Sequence, residues 1–199
     1  TILTELQRIS SHLLWLGTHA GVGQYDGKEF NAKITKADGL LHDGVHSLFR
    51  EGDGTLWIGA HRVVSRYGPT AVSAGAQVLT HLTVKEGFVP DVANALLRDS
   101  RGILWIGTDG MGLFRYDGKT LVRFTHHDGL AGDVIYALRE ASDGLLWIGT
   151  GNGVSCYDET SFASFTTQDG LPNNAVSRIF PDADGAFWKQ LASLVYHVC

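Results

Sequence analysis

The strongest constraint on what this chain can fold into is a short apolar signature that returns along its whole length. It reads Leu14-Trp15-Leu16-Gly17-Thr18, Leu56-Trp57-Ile58-Gly59-Ala60, Leu104-Trp105-Ile106-Gly107-Thr108 and Leu146-Trp147-Ile148-Gly149-Thr150, and begins once more at Phe187-Trp188 before losing its glycine. All five tryptophans of the sequence belong to it, at separations of 42, 48, 42 and 41 residues. A period of roughly 40–50 residues is that of propellers, solenoids or arrays, in which one supersecondary unit is stacked repeatedly.

The residues around each tryptophan define the unit. Before it, Ile2–Leu6, Gly44–Leu48, Val92–Leu96, Val134–Leu138 and Ala175–Ile179 read as equivalent strands. The last four are followed by a turn carrying Asp53-Gly54, Arg101-Gly102, Asp143-Gly144 or Asp184-Gly185, of which aspartate and glycine tolerate the positive φ of a tight hairpin, whereas the first copy has Ser11-His12 there, a poorer turn. The tryptophan strand is almost continuously apolar, so both its faces must be covered, as when neighbouring sheets stack on each other. The glycine that follows the tryptophan fits a close approach between sheets.

A third strand ends at Tyr25, Tyr67, Tyr116 or Tyr157. A fourth contains Phe30 and Ile34, Leu79 and Leu82, Leu121 and Phe124, or Phe162 and Phe165. A Gly-Leu or Gly-Phe pair at Gly39, Gly87, Gly129 and Gly170 leads into the next copy. The expected fold is therefore all-β: a β-propeller of four-stranded antiparallel blades, about four full blades plus a partial fifth, as a fragment or a small ring. Residues 1–199 form one propeller segment, with blades at 1–38, 39–86, 87–128, 129–169 and an incomplete 170–199. Extra residues at 68–77 enlarge the loop between the third and fourth strands of the second blade. Strands at Ile2 and near Tyr196 are open edges unless they pair with each other, and open edges template self-association.

Composition limits the partners. With 44% hydrophobic and 19% charged residues the chain has enough apolar surface for a core. A net charge of -5 without a basic stripe argues against nucleic acid. No run of about 18 apolar residues marks a membrane contact, and Cys156 and Cys199 have no metal-type spacing.

The set Asp128-Gly129-Leu130, Asp133-Val134, Asp143 to Thr150, Gly153-Val154 and Tyr157-Asp158 resembles the two-component regulator propeller repeat, and the resemblance extends over residues 1 to 188. It implies a periplasmic or extracellular sensor propeller of a hybrid histidine kinase or related signalling receptor, with a ligand-sensing, non-catalytic role. Family propellers commonly have seven blades and are followed by another β domain, a membrane helix and a kinase, parts this sequence does not contain.

For chemistry, the glycine-rich stretches 149–153 and 107–112 are turns between strands, where a phosphate cradle needs a strand leading into a helix. His126-His127-Asp128 looks like a metal cluster, but Asp38, Glu86 and Asp169 hold the place of Asp128 in other copies, so a turn accounts for it and no metal or cofactor is expected. Adjacent histidines should also diverge. No nucleophile with a base at motif spacing and no acid–base carboxylate pair stands out, so no catalytic residue is assigned.

Recognition chemistry is expected where the copies differ while the scaffold repeats. Asp43, Asp91, Asp133 and Asn174, with Asn173, precede the first strand of a blade, and His61, Arg62, Asp109 and Asn152 follow the tryptophan strand. Both sets should open on one face and suit a small polar or oligosaccharide ligand. Each of Asp43, Asp91, Asp133 and Asn174 can equally be a loop residue that bonds backbone amides. A propeller lyase or glycosidase would instead show a histidine and a carboxylate converging near the central channel, and a protein-interaction platform an exposed apolar patch.

Overall fold

The computed structural model describes residues 14–25, 28–68, 79–82 and 92–180, with the backbone alone at 31–33. Four antiparallel sheets follow one another along the chain. The first has three described strands, β1 (Leu14–Thr18), β2 (Gly21–Tyr25) and β3 (Phe30–Ile34). The second holds β4 (Val45–Arg50), β5 (Leu56–Ala60), β6 (Val63–Tyr67) and β7 (Leu79–Leu82), and the third β8 (Ala93–Arg98), β9 (Leu104–Thr108), β10 (Leu113–Tyr116) and β11 (Leu121–Phe124). The fourth holds β12 (Ile135–Glu140), β13 (Leu146–Thr150), β14 (Gly153–Tyr157) and β15 (Phe162–Phe165). Within each sheet the strands pair in sequence order, as in an up-and-down meander.

The hydrophobic core is a series of layers between sheets. Trp57, Val64 and Leu82 of the second sheet pack on Ala93, Leu104, Ile106 and Phe114 of the third. Trp105 and Leu113 of the third pack in turn on Ile135, Leu146 and Ile148 of the fourth. Strands β5 and β9 are buried at every residue, which explains their unbroken apolar sequence. Trp57 and Trp105 are buried, whereas Trp15 and Trp147 are only half-buried. All four stand on equivalent strands, and the two less covered ones lie in the outermost described sheets.

The tryptophan-strand glycines are what let the layers close. A Cβ on Gly149 would stand 2.4 Å from the Val176 carbonyl oxygen, and one on Gly59 would stand 2.8 Å from the Ala93 carbonyl oxygen. No side chain fits at these positions without moving the next sheet's backbone.

The hairpins refine the sequence reading. Gly54, Gly102 and Gly144 take the positive φ, at 92°, 82° and 86°. Asp53 instead accepts a 2.8 Å hydrogen bond from the Thr55 amide, so the aspartate braces the turn and the glycine bends it.

Residues 175–179, expected as the first strand of the last blade, are not a strand. The Val176 amide nevertheless donates to the Thr150 carbonyl at 2.9 Å, and Val176 is buried beside Val154 and Leu171. The segment thus lies along the fourth sheet, while its expected hairpin partner near Trp188 falls outside the described residues. So do the strand at Ile2–Leu6, the enlarged loop from Pro69 onward, Tyr196 and Asp91. Among the described residues no helix is long and apolar enough to cross a membrane.

Candidate ligand-binding face

Two sets of loops meet at one end of the sheets. One set joins the second and third strands of a sheet, and the other joins a fourth strand to the next sheet's first strand. Backbone hydrogen bonds couple them: Gly21 donates to the Asp43 carbonyl and Gly112 to the Asp133 carbonyl, both at 2.8 Å, and Asp109 donates to the Val92 carbonyl at 3.1 Å. His61 forms an isolated bridge with Val92. The loops of one sheet are thereby tied to the chain that enters the next.

The connections are built alike. Thr35, Thr125 and Thr166 each precede a single 3-10 turn, and their amides donate to Asp38, Asp128 and Asp169 at 2.8–2.9 Å. Gly39, Gly129 and Gly170 then end each turn in the left-handed region, with φ of 101°, 106° and 99°. Asp128 is therefore a turn brace, as the comparison between copies implied. The neighbouring histidines do not diverge, since the His126 and His127 rings lie 3.9 Å apart. His126 pairs instead with Asp133 at 2.5 Å.

This architecture occupies several of the polar residues singled out from sequence. Asp43 accepts from the Lys36 amide at 2.9 Å, Asp133 from the His126 amide at 2.7 Å, and Asn174 from the Thr167 amide at 2.7 Å. Asn173 accepts from the Ala175 amide at 2.8 Å. These four side chains are used in holding the connections. His61, Arg62, Asp109 and Asn152 are exposed on the loops after the tryptophan strands. Arg62 holds a left-handed backbone with φ of 58°, unusual for a residue with a Cβ.

Two kinds of residue on this face escaped the sequence reading. Strands β4, β8 and β12 each shift register near their start, between Val45 and Ser47, Ala93 and Ala95, and Ile135 and Ala137. The bulged residues are His46, Asn94 and Tyr136, and a bulge re-aims a side chain away from the ladder. His46 and Tyr136 are exposed and Asn94 is half-buried. The signal was present in the sequence, because this position holds histidine, asparagine or tyrosine in successive copies.

The second is a chain of imidazoles at the junction of the first two sheets. His19 lies 6.2 Å from His46, His46 lies 4.9 Å from His61, and His61 lies 4.9 Å from His42, measured between ring centres. Burial, and then the charges of His61, His19 and His42, push the His46 imidazole below its usual value, while Asp109 acts in the opposite direction. The rings follow one another in the order His19, His46, His61, His42, and among the described residues no three His, Cys, Asp or Glu side chains converge on a cation position.

Stacked four-stranded sheets with glycine-mediated contacts and loops gathered on one face define the blades of a β-propeller. The family described as the two component regulator propeller matches residues 87–110 and 129–152. Each match runs from the connection through the first strand and hairpin to the loop after the tryptophan strand. The fold is similar to the extracellular domain of a B. thetaiotaomicron protein described as a hybrid two component system, at 26% identity over 91% of this chain and a TM-score of 0.76. A second such B. thetaiotaomicron domain matches at 25% identity over 90% of the chain with a TM-score of 0.71. The chain spans 25% of the length of each of these. Virginiamycin B lyase from Staphylococcus aureus shares the fold at 14% identity and a TM-score of 0.68, over 92% of this chain and 60% of that one. Among curated proteins nothing matches.

Proposed function

We propose that the chain is a non-catalytic, ligand-sensing part of the extracellular or periplasmic propeller of a two component signalling receptor, and that its ligand is polar, of the carbohydrate class. The observation that carries this reading is the face itself, where a repeated scaffold brings two sets of loops together and varies only their polar side chains. His61, Arg62, Asp109, Asn152, Asn94 and Tyr136 supply donors, acceptors and an aromatic surface, which suits a hydroxyl-rich molecule held by several modest contacts. Asp91 joins this set by its place in the repeat. The likeness to extracellular domains of hybrid two component systems supports the setting.

The test is a calorimetric screen of neutral and acidic oligosaccharides against the chain. His61→Ala and Asn152→Ala are each expected to weaken a hit by about 0.5–1.5 kcal/mol with folding unchanged. Binding that these variants leave untouched would sink the assignment of this face.

One observation favours a second reading, an acid–base enzyme. His46 is held below its usual pKa within reach of the Asp109 charge, so a neutral imidazole is available near neutral pH as a proton acceptor. Chemical conversion of a bound oligosaccharide, followed by chromatography and lost in His46→Gln, would decide for it.

A further inference from the structure

We propose that the histidine end of this face is a proton-linked subsite for the anionic group, a carboxylate or sulfate, of an acidic saccharide. The inference rests on the sensing reading above and adds a ligand class and a condition for binding. The first ground is placement. Four imidazoles follow one another at the junction of the first two sheets from three different backbone contexts: His19 and His61 from equivalent loops, His42 from the connection between the sheets, and His46 from the bulge of β4. The equivalent positions around the fourth sheet hold Gly151, Gly132 and Tyr136, so the repeat itself does not require histidine there.

The second ground is electrostatic. With ring centres 4.9 Å apart, imidazolium groups repel, and each proton added makes the next less favourable. An anion placed among them removes that repulsion and is bound in proportion to the charge taken up. The His46 imidazole is pushed below its usual value first by desolvation and then by the charges of His61, His19 and His42, in keeping with the short ring separations. Arg62 stands beside His61 on the same exposed loop and supplies a permanent positive charge. His42 Nδ1 accepts a 3.0 Å hydrogen bond from the Gly44 amide, which fixes that ring with its hydrogen on Nε2, so His42 offers the anion an N–H donor.

The opposing groups are few. Asp109, from the loop of the third sheet, is the described carboxylate whose charge acts on His46. Asp43, next to His42, is engaged by the Lys36 amide and pairs with the Lys36 ammonium at 3.8 Å. Imidazole is the side chain whose charge ordinarily changes between about pH 5 and 8, so acidification favours an anion beside a run of histidines.

The experiment titrates the 199-residue chain by calorimetry with galacturonate oligomers and with neutral galactose oligomers of equal length. Galacturonate should bind about tenfold tighter near pH 5.5 than near pH 7.5, with proton uptake visible as a difference in heat between two buffers. His46→Gln and His61→Gln should remove this pH dependence while circular dichroism stays unchanged. Asp109→Asn should strengthen galacturonate binding, an outcome a merely structural role would not produce. Equal affinity at the two pH values, or no galacturonate binding near pH 5.5, overturns the proposal. Binding of the neutral oligomer alone overturns it and leaves the sensing reading intact. Inorganic sulfate binding as tightly as galacturonate, with the same proton uptake, upholds the subsite and sinks the carbohydrate assignment.

Discussion

The second and fourth sheets share a backbone and differ in what they present. Both place a glycine of the tryptophan strand against the backbone that follows the sheet, Gly59 against Ala93 and Gly149 against Val176. Both bulge at the same register, and both bury a serine at the centre of the third strand, Ser65 and Ser155. Yet His42 is matched by Gly132, His46 by Tyr136, His61 by Gly151 and Arg62 by Asn152. Residues whose atoms touch the neighbouring sheet are held constant by clearance, and residues at the loop end are released from it. The comparison separates scaffold from reader inside one repeat.

The largest effect is expected where scaffold is broken. Trp105 is fully buried and its indole donates to Asp99 at 2.9 Å, so Trp105→Ala should cost about 3–5 kcal/mol, measured by denaturant unfolding. Trp147, half-buried at the equivalent place, should cost clearly less, and equal losses would show that the outer sheet is as well covered as the inner one.

Next comes Gly149→Ala, which sets a methyl group against the Val176 carbonyl and should destabilise by about 1–3 kcal/mol. A neutral result would mean that residues around Val176 yield freely.

Exchanging reader residues should do far less to stability. His46→Tyr installs the fourth sheet's residue in the second, and thermal unfolding near neutral pH should move by no more than about 0.5 kcal/mol. A larger change would deny that the two bulges are interchangeable.

The smallest effect is one of pH. The pKa of His46 is lowered mainly by burial and neighbouring histidines, and that of His81 by burial, with its bond to Gly39 opposing. The folded state therefore binds fewer protons than the unfolded chain, and stability should fall as pH drops below about 6.5 through the folded values. His46→Tyr should flatten part of this slope. Asp99 adds a second phase: burial alone would raise its pKa, but bonds from Trp105, Ile103 and Arg101 hold it below the usual range. Its contribution is present above about pH 4 and is lost as pH falls through the folded value, measurable as further loss of melting temperature.

Much of the fold was legible because clearance and periodicity act locally. The Leu-Trp-Ile-Gly runs announced strands covered on both faces, and the glycines announced the close contacts that Gly59 and Gly149 make. The candidate site was legible only in part. Loop positions such as His61 and Asp109 could be found by asking where copies differ, but Asp43, Asp133 and Asn174 drew notice for a recurrence that belongs to the turn. The histidine chain was hidden because the equivalent pair His19 and His61 is joined through His46 and His42, which come from a bulge and a connection. The packing of the first sheet beside the second brings them together. The half-burial of Trp147 likewise depends on what packs against the fourth sheet, which a single repeat unit does not encode.

The bulge at the start of each first strand carries a consequence for how such arrays diversify. A residue outside the ladder can be exchanged by a single codon change without re-registering four strands, so a duplicated blade inherits a ready pedestal and a blank to be inscribed. Histidine, asparagine and tyrosine stand on three successive pedestals of this molecule. A lineage that copies blades therefore acquires new vocabulary one letter at a time, while the grammar of its sheets stays as it was.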